Sequence, residues 1–336
     1  MKTIFLGTPE VAVPFLETLH KYTEVALVIT QPDRPRGRGM VITPCPVKLK
    51  AQELGLKVLS PEKITEIEAE IKAANADYGI AVAYGQILKQ HIIDIPRLGI
   101  INLHFSILPN FRGAAPVQHS LFAGVEETGV TAFWIDQGMD TGPIFLNKTL
   151  EVSKDDNCKT LFAKLIPLGD LILRDVIENI RMDNIIKRAQ TYKTPVKPAP
   201  GAITIAEPEM EELPIPSYAP MIKKEDTILD FNNMAAEVLH NRVRGLACGP
   251  NAKALITVGG VKDVVQILET LLSPLPDEAT TAPGTVVSIE SDGKILVKCY
   301  QGFVYIKTLR PAGKKDMPAA AFANGHKIKA GDVIFY

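Results

Sequence analysis

Short apolar runs alternate with helical periodicity through the first half of the chain. Lys2–Leu6, Val25–Ile29 and Tyr78–Ala83 have the near-continuous apolar character of buried strands. Between the first two runs, apolar residues of Val11–His20 recur at the three- and four-residue spacing of a helix. Apolar strands joined by helices are typical of a parallel sheet that is covered on both faces. The pattern therefore predicts an α/β domain with a mostly parallel sheet.

The other elements of this half continue the alternation. We expect helices over Val47–Leu54, Ile64–Ala74, Val117–Phe122 and Leu161–Ile180, and strands at Val58, Gly99–His104, Val130–Ile135 and Ile144–Val152. The first turn, Gly7-Thr8-Pro9-Glu10, holds one glycine. A dinucleotide fingerprint needs three glycines for the turn and for the approach of a pyrophosphate, so the pattern disfavours NAD binding.

The periodic pattern stops at Arg188–Pro216, which holds six prolines and is typical of a linker. After it, Met234–Arg244 has helical spacing. Six short β-like runs follow, at Ala254–Val258, Val264–Leu268, Gly284–Ile289, Ile295–Cys299, Val304–Leu309 and Val333–Phe335. Short strands with Gly and Asp turns predict a small β-barrel or sandwich.

Length and composition agree with this division. A chain of 336 residues suits two domains, and 46% hydrophobic with 22% charged residues is ordinary globular composition. We place the domains at residues 1–187 and 217–336, with the linker at 188–216. The net charge of −1 does not by itself indicate a polyanionic partner.

The four cysteines are isolated, and no CxxC pair occurs. This spacing disfavours a zinc site and suits a reducing compartment. No apolar run approaches the length of about 18 residues that a membrane span requires. Motifs of serine hydrolases, zincins and P-loop enzymes are missing from the sequence. We therefore expect a cytoplasmic protein, monomeric, with no metal and no membrane contact.

Asn102 and His104 are the first candidates for chemistry. They lie two residues apart at the end of the strand predicted at Gly99–His104, and such residues share one face of a strand. The carboxyl end of a strand is where α/β sheets bind ligands. An amide donor beside an imidazole can stabilise an oxyanion. The alternative is that both side chains cap the turn after the strand and satisfy each other's hydrogen bonds.

Asp140 lies in the glycine-flanked loop Asp136–Pro143, between the last two predicted strands. Such a loop can present Asp140 as a base or as a partner for His104. The alternative is an aspartate that binds its own turn backbone. That alternative suits Asp136 better than Asp140.

Two basic segments suggest contacts with phosphate. Arg34, Arg36 and Arg38 lie in a Pro- and Gly-rich segment after the second strand, which we expect to be a mobile loop. The segment from Lys294 to Lys329 holds eight Lys or Arg residues and one acidic residue. Such a strip in a neutral protein is typical of a nucleic-acid surface. The alternative for both segments is a solvated charged face.

Taken in order, several segments resemble the methionyl-tRNA formyltransferase family over nearly the whole chain. The central match is Asn102–Pro116, which has the form NxH…SxLPxxRGAAP, followed by the DTG at Asp140. Gly7-Thr8-Pro9, Gln31–Gly39, Ala83-Tyr84-Gly85, Glu127–Thr131 and Leu309–Lys315 also resemble segments of that family.

The resemblance implies a Rossmann-like formyltransferase domain and a C-terminal OB-like barrel that binds tRNA. It implies formyl transfer from 10-formyltetrahydrofolate to the α-amine of methionine on initiator tRNA. In this sequence the implied catalytic set is Asn102, His104 and Asp140. The implied folate-binding residues are Ser106, Ile107, Leu108, Pro109, Tyr84 and Gly85. The implied tRNA-binding residues are Arg34, Arg36, Arg38, Lys314 and Lys315. Asn102 and His104 would hold the oxyanion, and Asp140 would orient His104 and assist proton removal.

Three features depart from the family pattern. Phe105 stands where a small residue or proline is usual, the Pro-rich linker is longer, and Gly245–Pro250 lacks a tryptophan. Two other functions stay open at this point. One is a folate-dependent formyltransferase for a small amine, such as glycinamide ribonucleotide or an amino sugar. The other is an RNA-binding protein with an inactive catalytic domain.

Overall fold

The computed structural model describes residues 1–36, 41–191, 216–277 and 280–336 of the protein. These residues form two compact units. The first comprises Met1–Pro116, Glu127–Glu151 and Phe162–Pro220, and the second comprises Val117–Glu126, Val152–Leu161 and Met221–Tyr336. The domains expected from the sequence are continuous, whereas each unit collects separate stretches of chain. The domain boundaries at residues 187 and 216 therefore stay a prediction.

A seven-stranded sheet, counted over the described residues, forms the centre of the first unit. Strands β1–β9 of the chain are Lys2–Gly7, Glu24–Ile29, Arg34–Arg36, Val41–Thr43, Val58–Leu59, Tyr78–Val82, Ile100–His104, Glu127–Trp134 and Ile144–Glu151. The sheet order is β5-β2-β1-β6-β7-β8-β9. Pairing is parallel from β5 to β7, and β8 and β9 join antiparallel at one edge. The expected Rossmann-like, mostly parallel fold is confirmed.

Helices connect most of these strands. Helices α1–α6 are Val13–Tyr22, Pro46–Glu53, Glu68–Ala74, Gln90–Ile93, Pro116–Phe122 and Cys158–Arg181. Strand β6 is buried at all five positions, as a strand covered on both faces requires. Edge strand β9 is buried only at its first two positions and then alternates between partly buried and exposed ones. The carboxyl ends of β1, β6 and β7 lie along one edge of the sheet, where α/β folds bind ligands.

Phe105 packs in an aromatic cluster of the first unit. It follows β7 directly and is 6% exposed. Its ring centroid lies 6.1 Å from that of Phe15 on α1 and 5.6 Å from that of Phe162 on α6, both in edge-to-face geometry. The residue that departs from the family pattern beside His104 is therefore a core side chain.

The arginine segment after β2 is more ordered than a mobile loop. Strands β3 and β4 form a hairpin in which Arg34 pairs with Thr43, and Arg36 with Val41. The prediction that these residues form a loop was wrong. It relied on the prolines and glycines of the segment, and it did not consider that the segment pairs with the strand that follows. Arg38 lies outside the described residues.

The second unit contains a mostly antiparallel sheet. Strands β10–β16 are Ile228–Leu229, Ala252–Val258, Val261–Leu272, Val286–Ile289, Ile295–Lys298, Phe303–Pro311 and Met317–Pro318. Their order is β10-β11-β12-β15-β14-β13, with β16 paired to β15. Helices α7, Ala236–Gly245, and α8, Ala319–Gly325, complete the unit. Apolar residues of the sheet and both helices form its core, among them Leu239, Ile267, Ile306 and Phe322.

Closure of this sheet into a barrel is not confirmed. The run at Val333–Phe335, expected to be a strand, makes single bridges instead: Phe335 with Ile256, and Val333 with Thr285. Strand β12 extends beyond the expected Val264–Leu268 at both ends. A mostly antiparallel β domain is therefore present where a small β-barrel or sandwich was expected, and its last residues bridge to β11 and to the residue before β13.

Candidate functional site

Strand β7 presents Asn102 and His104 on one face. The intervening Leu103 is 2% exposed and faces the opposite side of the sheet. Asn102 pairs in register with Ala81 of β6 and Phe133 of β8, and it is partly exposed. The amide is therefore at the surface of the sheet's carboxyl edge, beside the imidazole.

His104 is 5% exposed, and both ring nitrogens face oxygen atoms. Its Nε2 lies 2.9 Å from the carbonyl oxygen of Phe111, and its Nδ1 lies 3.6 Å from Oδ2 of Asp140. Because a carbonyl only accepts hydrogen bonds, Nε2 carries the hydrogen. Burial lowers the pKa of His104 below its usual 6.5, although the Asp140 carboxylate and the Phe111 bond act to raise it. A neutral ring of this tautomer has an unprotonated Nδ1 towards Asp140.

Asp140 is held between His104 and the loop that follows β7. Its Oδ2 accepts a hydrogen bond from the backbone N–H of Gly113 at 2.7 Å. Its backbone has φ of +53°, in the left-handed region that non-glycine residues rarely adopt. The structure thus brings Asp140 to His104, as the sequence suggested, and gives its carboxylate a fixed donor on one oxygen.

Asp136, in contrast, serves its own turn. Its Oδ1 accepts hydrogen bonds from the N–H of Gly138 at 3.0 Å and from the hydroxyl of Thr141 at 2.7 Å. This is the local pattern of an aspartate that stabilises a turn. The interpretation that separated Asp136 from Asp140 is confirmed.

The loop after β7 is fastened to strand β8. The Ser106 hydroxyl donates to the carbonyl of Asn110 at 2.7 Å. Thr131 of β8 donates its hydroxyl to the carbonyl of Ser106 at 2.7 Å and accepts the N–H of Leu108 at 3.2 Å. Leu108 packs with Phe133 in a small apolar cluster, and Ile107 stays partly exposed. Pro109 follows Leu108 in the same turn.

Tyr84 and Gly85 lie just beyond β6. The Tyr84 side chain is 5% exposed and belongs to the apolar core of the first unit, and burial raises the pKa of its hydroxyl. Its carbonyl accepts hydrogen bonds from Thr8 and Gln31. Gly85 has φ of +84°, a conformation that glycine adopts without strain. A ligand here would therefore meet the backbone of these residues rather than the Tyr84 ring.

The sequence patterns did not identify residues near the two ends of the Pro-rich segment that bond to this loop. The Ser217 hydroxyl accepts the N–H of Phe111 at 2.8 Å. The backbone of Arg112 exchanges hydrogen bonds with Ser217 and Ala219 at 3.0 and 2.7 Å. The side chain of Arg112 donates to Gln190 at 2.6 Å. Arg112 belongs to the motif that ends at Pro116, but no local pattern marks Gln190 or Ser217.

The residues proposed to contact tRNA differ in their surroundings. Arg34 forms an ion pair with Glu62 at 2.7 Å. Lys314 and Lys315 are exposed and pair with no acidic side chain among the described residues. The backbone of Arg36 lies in β3, and Arg38 lies outside the described residues.

Half of the basic strip is neutralised by ion pairs. Lys294 pairs with Asp292 at 2.6 Å, and the buried Lys298 with Asp277 at 2.7 Å. Two further pairs join Lys307 to Glu269 and Arg310 to Asp316. Three of these acids lie outside the strip in sequence, so a count along the strip overstates its charge. The exposed lysines that remain are Lys314, Lys315, Lys327 and Lys329.

Neither a metal cluster nor a membrane-spanning helix occurs in the described part of the chain. No three His, Cys, Asp or Glu side chains there are grouped closely enough to hold a metal ion. None of the helices there combines the length and the apolar character that crossing a bilayer requires.

Comparison with known proteins identifies relatives over the full chain. Residues 1–177 match the profile of the Formyl transferase family, and residues 221–327 match that of the Formyl transferase C-terminal domain. The methionyl-tRNA formyltransferase of Elusimicrobium minutum is 66% identical, with 100% of both chains covered. That of Bacillus subtilis is 34% identical, covering 99% of this chain and 97% of its own.

A solved structure with the same fold is an N-formyltransferase from Helicobacter canadensis, in complex with folinic acid and dTDP-3-aminofucose. It has a TM-score of 0.62 and 17% identity, covering 91% of this chain and 98% of its own. At that identity the likeness concerns the fold alone. The full-length sequence matches decide the family: this chain belongs to the methionyl-tRNA formyltransferases.

Proposed function

We propose that this chain transfers the formyl group of 10-formyltetrahydrofolate to the α-amine of methionine on initiator tRNA. The observation that carries the proposal is the approach of His104 to Asp140, 3.6 Å apart and beside Asn102, in a chain that is 66% identical over its length to a methionyl-tRNA formyltransferase. Formylmethionyl-tRNA, the product, serves translation initiation. The two full-length relatives named above are tRNA enzymes, whereas the sugar enzyme shares only the fold.

The proposed chemistry needs one proton acceptor and one oxyanion donor. The α-amine has a pKa of about 7.7–8.0, so its neutral form is available at pH 7. As it bonds to the formyl carbon, Nδ1 of neutral His104 accepts its proton, and the Asp140 carboxylate stabilises the imidazolium that results. His104 then returns the proton to the nitrogen that leaves the formyl carbon. The Asn102 amide donates to the formyl oxygen while charge develops there.

The residues of the two turns suit a folate. Ile107 offers a partly exposed apolar side chain, and the backbone groups of Tyr84, Gly85 and Ser106–Pro109 lie in turns after β6 and β7. An apolar surface with a few fixed polar groups is what a planar ring with a hydrogen-bonding edge requires. Bound there, a formylated folate would supply the one-carbon group, and the chain itself would orient it.

The proposed setting is the cytoplasm, with the chain acting as a monomer. All four cysteines are free thiols, which suits a reducing compartment.

The decisive experiment offers the purified protein 10-formyltetrahydrofolate with three acceptors: methionyl initiator tRNA, glycinamide ribonucleotide and a nucleotide-linked amino sugar. We expect formylation of the tRNA-bound methionine, measured by acid gel or mass spectrometry. Transfer to a small amine alone would establish the other formyltransferase function, and tRNA binding without transfer to any acceptor would establish an inactive RNA-binding protein.

Binding of tRNA phosphates by Lys314 and Lys315 yields a further prediction. In the Lys314→Ala/Lys315→Ala variant, KM for tRNA should rise while kcat at saturating tRNA stays unchanged, because phosphate contacts contribute to tRNA binding and not to the chemical step. The slope of log affinity against log salt should become shallower by about 1 for each phosphate that the variant no longer neutralises. The control is Lys57→Ala/Lys72→Ala, which removes the same charge from exposed positions of the first unit. Equal slopes in the two variants would show that Lys314 and Lys315 do not bind tRNA phosphates.

A further inference from the structure

The Gln190 side chain uses its whole amide group on the loops of the candidate site. Its Oε1 accepts a hydrogen bond from Nη2 of Arg112 at 2.6 Å. Its Nε2 donates to the carbonyls of Asp140 and Gly142, each at 2.9 Å. One amide therefore joins the loop after β7 to the loop between β8 and β9.

Together with the bond from Gly113, these hydrogen bonds form a closed network that includes Asp140. The carboxylate of Asp140 accepts the N–H of Gly113, the residue next to Arg112. Arg112 reaches Gln190, and Gln190 returns to the Asp140 carbonyl. Asp140 needs such support, because its left-handed backbone conformation persists only where the surroundings hold it.

Gln190 is itself held in place by the sheet. Two residues before it, Arg188 exchanges backbone hydrogen bonds with Ile144 of β9 at 2.7 and 2.9 Å. Further back, the carbonyl of Ile186 accepts the indole N–H of Trp134 at 2.8 Å. The segment that carries Gln190 is thus anchored on β8 and β9, the strands that flank the Asp140 loop.

We propose that Gln190 is a positioning residue for the reaction: it holds the Asp140 loop so that the carboxylate stays at its distance from Nδ1 of His104. This inference rests on the proposed function. Gln190 acts on the reacting groups only through Asp140. Its loss lets Asp140 shift, and a displacement of about 1 Å at a reacting group can cost about 100-fold in rate.

Three substitutions separate this role from simple structural support. Gln190→Ala removes all three bonds, and Gln190→Met removes them while keeping the length of the side chain, which covers the case in which the alanine variant does not fold. Gln190→Glu keeps an acceptor for Arg112 but loses both donors to the loop and turns a carboxylate oxygen towards the Asp140 and Gly142 carbonyls. The matched control is Gln90→Ala, which removes an amide that donates to Asp94, the residue after α4.

We expect kcat with methionyl initiator tRNA to fall roughly 10- to 100-fold in all three Gln190 variants. KM for tRNA and the Kd for folinic acid should stay within about twofold, since the hydrogen bonds removed involve neither ligand. Tm is measured in parallel, and Gln90→Ala should match the wild type.

Wild-type kcat in Gln190→Glu would overturn the proposal, because Gln190 would then serve only as the partner of Arg112. A parallel rise of KM and of the folinic acid Kd, or a kcat loss equal to the loss of folded protein, would also overturn it. Failure of the wild type to formylate methionyl-tRNA would instead contradict the proposed function. If the wild type formylates methionyl-tRNA and all Gln190 variants keep its activity, only the inference about Gln190 would be contradicted.

Discussion

His104→Ala, Asn102→Ala and Asp140→Ala are each expected to lower kcat for methionyl-tRNA about 10²- to 10³-fold, the usual cost of removing one group that stabilises charge in the transition state. Asn102→Ala removes the donor to the developing oxyanion, and His104→Ala removes the proton acceptor. Asp140→Ala removes the carboxylate that stabilises the imidazolium. The measurement is single-turnover formylation at saturating tRNA and folate, with Tm to show that each variant is folded.

The pH profile of Asp140→Ala provides a second readout of the same roles. Burial lowers the pKa of His104, and Asp140 opposes that shift. Without the carboxylate the pKa of His104 should fall further, so the acid limb of the residual activity should move to lower pH. His20→Ala, an exposed histidine on α1, is the control and should leave rate and profile unchanged. If one of the three variants kept near-wild-type kcat, the residue that it replaces would not have its assigned role.

Phe105→Ala is expected to lower the free energy of unfolding of the first unit by about 3–5 kcal/mol, as for other buried phenylalanines truncated to alanine. The substitution removes the ring that packs edge-to-face against Phe15 and Phe162 and leaves a cavity next to β7. Unfolding in urea, followed by the fluorescence of Trp134, reports on this unit, since the sequence holds one tryptophan and it lies on β8.

Leu171→Ala is the matched control for Phe105→Ala. Leu171 lies on the same helix as Phe162 but is 51% exposed, so its truncation should change stability by no more than about 0.5 kcal/mol. A Phe105→Ala variant as stable as Leu171→Ala would mean that Phe105 does not belong to the core.

Much of the fold could be predicted from the sequence alone, because the relevant signals are local. Apolar runs such as Tyr78–Ala83 indicated buried parallel strands, and the period of two placed Asn102 and His104 on one face of β7. Helix α8 escaped this reasoning, because its Ala-Ala-Ala-Phe-Ala stretch has no polar positions to reveal a helical period. The β3–β4 hairpin was not predicted, because the prolines and glycines of Gln31–Gly39 are typical of a loop and hide the pairing of the two short strands.

Contacts between distant residues could not be predicted, because no short window contains both partners. The 3.6 Å approach of Asp140 to His104 depends on how two loops pack. The bonds that hold those loops join Gln190 to Asp140 across 50 residues and Ser217 to Phe111 across 106. The charge of the strip from Lys294 to Lys329 likewise depends on acids that folding brings from elsewhere in the chain. Local periodicity specifies which face a side chain takes, whereas its partners follow from the packing of elements far apart in sequence.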